Sequence, residues 1–378
     1  MTPRILFVGP LLDYSGYAAA ARNYVRALDP LAYVVTRDLR YDSGGYKRTS
    51  REEELSGRTA TDVNIVIQMT TPNEMSRKEG KFNVGIFCWE TDKIPPQWVS
   101  ALNSMDLVIV PCEANATTIR QCGIVVPVVK VPFSTDTQRF KQPQEPLELN
   151  QFSEHFKFLS IFQFAKKKAF DVLIKAYLSE FGPDENVLLI SKVYFGFNDG
   201  EAERQRLLEL VGAMKEMLRL KNYPRVLLLH KISSFEEIDK LYATADCYVL
   251  PSRGEGWGVP HLDALGFGLP AIATKGTGPE EFITPTCGWL VDSHDSPVLD
   301  MPHPFDFLYT AKENWREPHV GHLRRCMREA YEKWKMCEVN PIWDNMRATA
   351  KNRASDFSNE KIGPLLFSTI LDYYRMAK

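Results

Sequence analysis

Short apolar runs alternate with longer segments of helical pattern along almost the whole chain. Ile5–Val8, Val63–Ile67, Val84–Cys88 and Leu107–Val110 are nearly uninterrupted apolar stretches. That pattern predicts strands covered on both faces, as in a parallel sheet. Between them, Ala18–Leu28 and Glu113–Gln121 have helical composition, and Pro95-Pro96 opens a helix running towards Leu102, because proline is tolerated in a first helical turn. Pro127, Pro132, Pro143 and Pro146 mark a polar stretch ending near His155 that reads as a linker. The alternation then restarts. Strands are predicted at Phe158–Phe164, Val187–Ser191, Val226–His230, Cys247–Leu250 and Ala271–Thr274, and helices at Phe170–Phe181, Glu201–Leu220 and Phe235–Ala243. From Val320 onward the pattern is almost entirely helical and ends in the amphipathic Ile362–Arg375. Two successive βα series predict an α/β protein with two doubly wound domains, residues 1–150 and 151–355.

Composition narrows the possible functions. The 378 residues carry 46 Lys+Arg against 48 Asp+Glu, a net charge of −2, which lacks the basic footprint of a duplex-DNA-binding module. No apolar run approaches the length of a membrane span. The opening Met-Thr-Pro-Arg-Ile-Leu-Phe-Val enters a strand with no signal-peptide core, and the seven scattered cysteines contain no Cys-x-x-Cys pair. A cytoplasmic protein without disulfides or zinc is expected. Phosphate-loop, nucleophile-elbow, H-E-x-x-H and D-x-D motifs are all missing, and the turn after the first strand, Gly9-Pro10-Leu11-Leu12-Asp13-Tyr14-Ser15-Gly16, is not G-x-G-x-x-G. Nothing therefore supports NAD chemistry.

Most of the functional information lies in Asp246–Pro270. A strand runs into a loop holding Gly254, Gly256 and Gly258, and a helix follows with Pro260 in its first turn. Glycines let the backbone approach a ligand, and free amides at a helix start suit an anion such as a diphosphate. Glu255 sits in the loop and Asp263 on the helix, so two carboxylates can meet different parts of one ligand. The segment resembles the P-S-x-x-E-G-x-G-x-P-x-x-E-A block of retaining glycosyltransferases of the family 4 (group 1) type, with the GT-B fold of two Rossmann-like domains facing across a cleft. The resemblance implies that Glu255 contacts donor-sugar hydroxyls, that Gly256, Trp257, Gly258 and Val259 supply backbone contacts, and that Asp263 takes the ribose position. Asp replaces the family's Glu there, one methylene shorter.

Other segments resemble the family more loosely. Ser160–Tyr177 is similar to its G-R-x-x-x-x-K-G-x-D-x-L-I-x-A stretch, whose basic groups neutralise the donor diphosphate. Lys168 takes the Lys position, Gln163 stands where the Arg is usual, and Ala169 replaces Gly. Gly16, in Tyr14-Ser15-Gly16-Tyr17, matches a glycine loop near the diphosphate and acceptor. Trp89-Glu90-Thr91-Asp92 before Pro95 is similar to a W-E-x-x-x-x-P stretch, making Glu90 either an acceptor-side catalytic group or an acid capping the next helix. Ile232 follows the strand that would meet the nucleobase, and Gly276-Thr277-Gly278 would lie near the phosphates. The C-terminal helix, 356–378, is expected to cross back to the N-terminal domain.

The resulting expectation is a metal-independent, cofactor-free enzyme that transfers a hexose from a UDP- or GDP-sugar to a hydroxyl acceptor with retention. The expected catalytic residues are Glu255, Lys168 and Glu90. The sequence leaves the acceptor open among glycan, lipid, protein and modified base, and leaves the oligomeric state open. A GT-B epimerase or phosphorylase and a non-catalytic nucleotide-sugar-binding protein are the alternatives.

Overall fold

The computed structural model describes residues 3–39, 45–195, 200–230, 234–299, 301 and 308–378. The chain divides into two compact units, one formed by Met1–Thr137, Pro297–Asn314 and Asp356–Lys378, the other by Gln138–Ser296 and Trp315–Ser355.

In the first unit the strands are β1 (Arg4–Gly9), β2 (Tyr33–Asp38), β3 (Ile65–Met69), β4 (Phe82–Ile86), β5 (Leu107–Val110) and β6 (Val128–Lys130). They form one sheet in the order β2-β1-β3-β4-β5-β6, and every pairing is parallel. The chain winds outward both ways from β1 and β3. Every residue of β3, β4 and β5 is buried, which is why these strands read as unbroken apolar runs. Helices α1 (Gly16–Leu28), α2 (Ser50–Gly57), α3 (Trp98–Asn103) and α4 (Glu113–Gln121) connect them.

In the second unit, β7 (Phe156–Gln163), β8 (Val187–Tyr194), β9 (Arg225–Leu229), β10 (Cys247–Leu250), β11 (Ala271–Thr274) and β12 (Gly288–Val291) form a sheet in the order β12-β11-β10-β7-β8-β9. All pairings are again parallel. The connecting helices are α5 (Phe170–Glu180), α6 (Glu201–Leu218), α7 (Phe235–Thr244) and α8 (Val259–Gly266); α9 (Val320–Lys335) and α10 (Ile342–Ser355) follow. Because β7 and β10 are neighbours while their following connections wind in opposite directions, a switch point lies beyond their carboxyl ends, the usual ligand position in such sheets. Each unit is thus a Rossmann-like fold built on six parallel strands.

The last helix, α11 (Asn359–Met376), belongs to the first unit and packs on α1. Its Gly363 comes so close to α1 that a Cβ there would lie 2.6 Å from the Ala27 carbonyl oxygen. The alanines of α1 keep that face shallow, and Ala18, Ala20, Ala21, Val25 and Leu28 are buried.

The linker and its surroundings differ from the pattern-based reading. The second unit begins at Gln138, not near residue 151, because Phe140 packs edge-on against Phe267 at 5.2 Å and lies over Gly266. Pro297–Asn314 returns to the first unit, where Tyr309 stacks on Trp89 at 5.7 Å. Strands β2, β6 and β12 escape the apolar pattern because each is short or carries polar residues at a sheet edge. No helix among the described residues is long and apolar enough to cross a membrane.

Candidate functional site

Two loops define the switch point of the second sheet. The first leaves β7 at half-buried Gln163 and makes a single tight turn, Lys166–Lys168, before α5. Ala169 then caps α5 in the left-handed region, at φ 51° and ψ 40°. Left-handed backbone costs an alanine about 1–2 kcal/mol, against a penalty of about 0.5–1 kcal/mol for the extra freedom of glycine. Ala169→Gly should therefore leave stability unchanged or raise it by up to about 1.5 kcal/mol; a lower melting temperature would contradict this backbone account.

The second loop follows β10 and carries Arg253, Glu255 and the glycines. Lys168 and Glu255 meet here: Lys168 Nζ donates to Glu255 Oε2 at 2.6 Å, and both side chains are largely buried. Burial by itself would raise the Glu255 pKa, but the charge and hydrogen bond of Lys168 override it, with a smaller contribution from Lys167, and the carboxylate stays below its ordinary range. Arg253 ties the two loops together. Its guanidinium forks onto Asp171 at 2.9 and 2.9 Å, reaches Glu317 at 3.0 Å and donates to the Lys166 carbonyl at 2.8 Å. Its amide donates to the Lys167 carbonyl at 2.7 Å.

Two glycines in this region are required by shape. Gly258 caps α8 at φ 94°, with Pro279 Cγ 2.6 Å from where a Cβ would stand. Gly278 donates its amide to the Glu255 carbonyl at 2.8 Å, and a Cβ on it would fall 2.5 Å from Trp257 Cα. The Gly276–Gly278 turn therefore lies directly against the Glu255 loop. Trp257 turns its ring into the core against Phe282 at 5.1 Å, so its backbone is what it can offer a ligand. Half-buried Val259 opens α8.

His261, on the first turn of α8, is fully buried, and desolvation pushes its pKa down to about 4. Its Nε2 lies 3.1 Å from the Leu250 carbonyl oxygen, the contact of a neutral imidazole donating from that nitrogen. Further along the helix, Asp263 is also buried. Arg139 Nη1 donates to Asp263 Oδ2 at 2.7 Å, and Arg139 Nε reaches Asp239 Oδ1 and Oδ2 at 2.9 and 3.1 Å. Arg139 Nη2 also donates to Asp239.

The remaining candidates lie elsewhere in the chain. Gly16 and Glu90 belong to the first unit. Gly16 is the first residue of α1, behind Ser15, whose hydroxyl accepts from the Ala18 amide. Glu90 is half-buried in the turn after β4. That turn is fixed by Trp89, whose amide donates to Asn115 Oδ1 at 2.9 Å and whose indole donates to the Lys93 carbonyl at 2.6 Å. Ile232 lies outside the described residues. Sequence reasoning missed Arg139, Arg253 and His261. Arg253, a charge inside a glycine-rich loop, gave a usable signal; Arg139 sits in a proline-rich stretch without periodicity and gave none. Among the described residues, no three His, Cys, Asp or Glu side chains are grouped as a metal centre requires.

Residues 141–299 match the family described as Glycosyl transferases group 1. Uncharacterized protein 356 of Sulfolobus islandicus rod-shaped virus 1 is 26% identical over 272 residues, covering 70% of this chain and 68% of that protein. The pneumococcal O-GlcNAc transferase GtfA in complex with UDP and GlcNAc superposes with a TM-score of 0.51 at 15% identity, covering 82% of this chain but only 57% of that one. The chain thus spans less than two thirds of GtfA. The Anabaena protein HepE, in complex with UDP and glucose, superposes with a TM-score of 0.64 at 15% identity, covering 98% of this chain and 99% of that chain.

Proposed function

Because residues 141–299 match the family Glycosyl transferases group 1, we propose that this protein is a cytoplasmic, retaining hexosyltransferase. It moves a sugar from a UDP- or GDP-sugar to a hydroxyl acceptor without a metal or cofactor. The observation that carries this reading is the Lys168–Glu255 pair at the switch point, bordered by the glycine turns at 254–258 and 276–278. In the structure the two groups neutralise one another. Donor binding exchanges that pair: Lys168 turns to the diphosphate, and Glu255 accepts from the sugar hydroxyls. Negative charge grows on the leaving diphosphate as the glycosidic bond breaks. Lys168 and the amides at the start of α8 stabilise it there, where burial magnifies their effect. Retention follows if the acceptor hydroxyl attacks from the face that the diphosphate leaves, the phosphate taking its proton. Gly16 and Glu90 would serve the acceptor from the first unit, and Gln163 and Ile232 would line the donor.

The test is turnover. Incubation with UDP-glucose, UDP-GlcNAc and GDP-mannose in the presence of EDTA should release UDP or GDP from one donor, with the anomeric configuration kept in the product. Failure of all UDP- and GDP-sugars to bind in a thermal-shift screen would overturn the reading. Asp263→Ala should weaken UDP or GDP binding by about tenfold, the worth of one charge-assisted hydrogen bond, as titration calorimetry would show.

A further inference from the structure

The Asp263 carboxylate does not stand alone: it and the two residues that hold it lie on three separate segments. Arg139 comes from the start of the second unit, Asp239 from α7 and Asp263 from α8. The guanidinium spends its Nε and Nη2 edge on both Asp239 oxygens and reaches Asp263 Oδ2 with Nη1. It is enclosed by the rings of Phe140, Phe235 and Phe267, whose centroids lie 5.8, 5.9 and 5.7 Å from its central carbon. Burial works against the Arg139 charge, but Asp263 and Asp239 overcome it, and the guanidinium is more firmly protonated than in water.

The arrangement has two consequences. One cation faces two carboxylates, so the group keeps a net charge of about −1 and attracts hydrogen-bond donors, not phosphate. The planar fork also restricts how the short Asp263 side chain can turn, because Asp239 is gripped through both oxygens and fixes the guanidinium plane. Resting on the nucleotide-sugar reading above, we propose that Arg139 is a positioning residue for nucleotide specificity. Backed by Asp239, it holds the Asp263 carboxylate aimed so that the ribose diol of the donor nucleotide is preferred over a 2′-deoxyribose. The device compensates for the methylene that Asp263 lacks relative to a glutamate: the carboxylate is set by a neighbour where a longer stem would reach by itself.

The experiment compares UDP with 2′-deoxy-UDP, and GDP with 2′-deoxy-GDP, by titration calorimetry on the full chain. The variants are Arg139→Lys, which keeps the charge but loses the fork, and Asp239→Asn, which loosens the fork from its far side. The wild type should prefer the ribonucleotide by about tenfold. In both variants that ratio should fall towards one while affinity for the deoxynucleotide is kept. A ratio is independent of the fraction of protein folded, so it separates positioning from simple destabilisation. An unchanged ratio in both variants overturns the proposal, and so does an equal loss of both nucleotides. If the wild type binds neither UDP nor GDP, the nucleotide-sugar reading itself fails.

Discussion

Glu255→Gln lowers kcat for sugar transfer by about a hundredfold to a thousandfold and leaves the affinity for UDP or GDP almost unchanged. The substitution keeps the shape of the side chain, so the effect isolates charge. Glu255 is ionised in the resting protein because Lys168 stands 2.6 Å away and outweighs the cost of burial. In the proposed complex Lys168 leaves for the diphosphate, and the carboxylate is left facing the sugar ring, where positive character develops as the glycosidic bond breaks. A carboxamide cannot stabilise that charge. Nucleotide affinity should persist, since the same substitution releases Lys168 from its partner and leaves it available to phosphate. Steady-state kinetics with the best donor, together with calorimetry of UDP and GDP, separate the two effects. Equal kcat in wild type and variant would remove Glu255 from the chemistry. A parallel collapse of nucleotide affinity would show that it holds the loop instead.

Much of the architecture was legible in the sequence because parallel strands covered on both faces are apolar at every position. Cys247–Leu250 and Ala271–Thr274 were read to the residue for that reason. The edge strands were not. Tyr33–Asp38 includes Thr36, Arg37 and Asp38, and Val128–Lys130 has only three residues, too few for a periodicity to show. Within the site, the loop glycines and Glu255 are local features, and the turn that needs them is written in adjacent residues. The contact between Lys168 and Glu255 is a property of topology: it exists because β7 and β10 are neighbours in the sheet although 87 residues separate the two side chains. Arg139 lay deeper still. Its partners are 100 and 124 residues away, and nothing in Gln138-Arg139-Phe140-Lys141 distinguishes a structural guanidinium from a solvated one.

Arg253→Ala should destabilise the second unit by about 3 kcal/mol and at most about 5, the range for removing one partner from a buried ionic group. The lower figure is favoured because Asp171 and Glu317 retain 38% and 24% side-chain exposure and can recover water. Arg253 itself is nearly enclosed, at 7%, and it joins three elements: α5 through Asp171, the segment after residue 315 through Glu317, and the lysine turn through the Lys166 carbonyl. Without it the lysine turn loses its fixed distance to Glu255, so kcat should fall even under conditions where the variant is fully folded. The loss of stability should also depend on pH with a definite sign. Burial would raise the Asp171 pKa, but the Arg253 hydrogen bonds and charge bring it below its ordinary value. A carboxylate whose folded pKa is depressed contributes stability above its unfolded pKa and loses it as pH falls through the folded value. The gap in melting temperature between wild type and Arg253→Ala should therefore be widest near neutrality and close progressively in acid. A gap independent of pH would mean that Arg253 acts by packing against Trp315, 5.7 Å from its ring centroid, and not by charge.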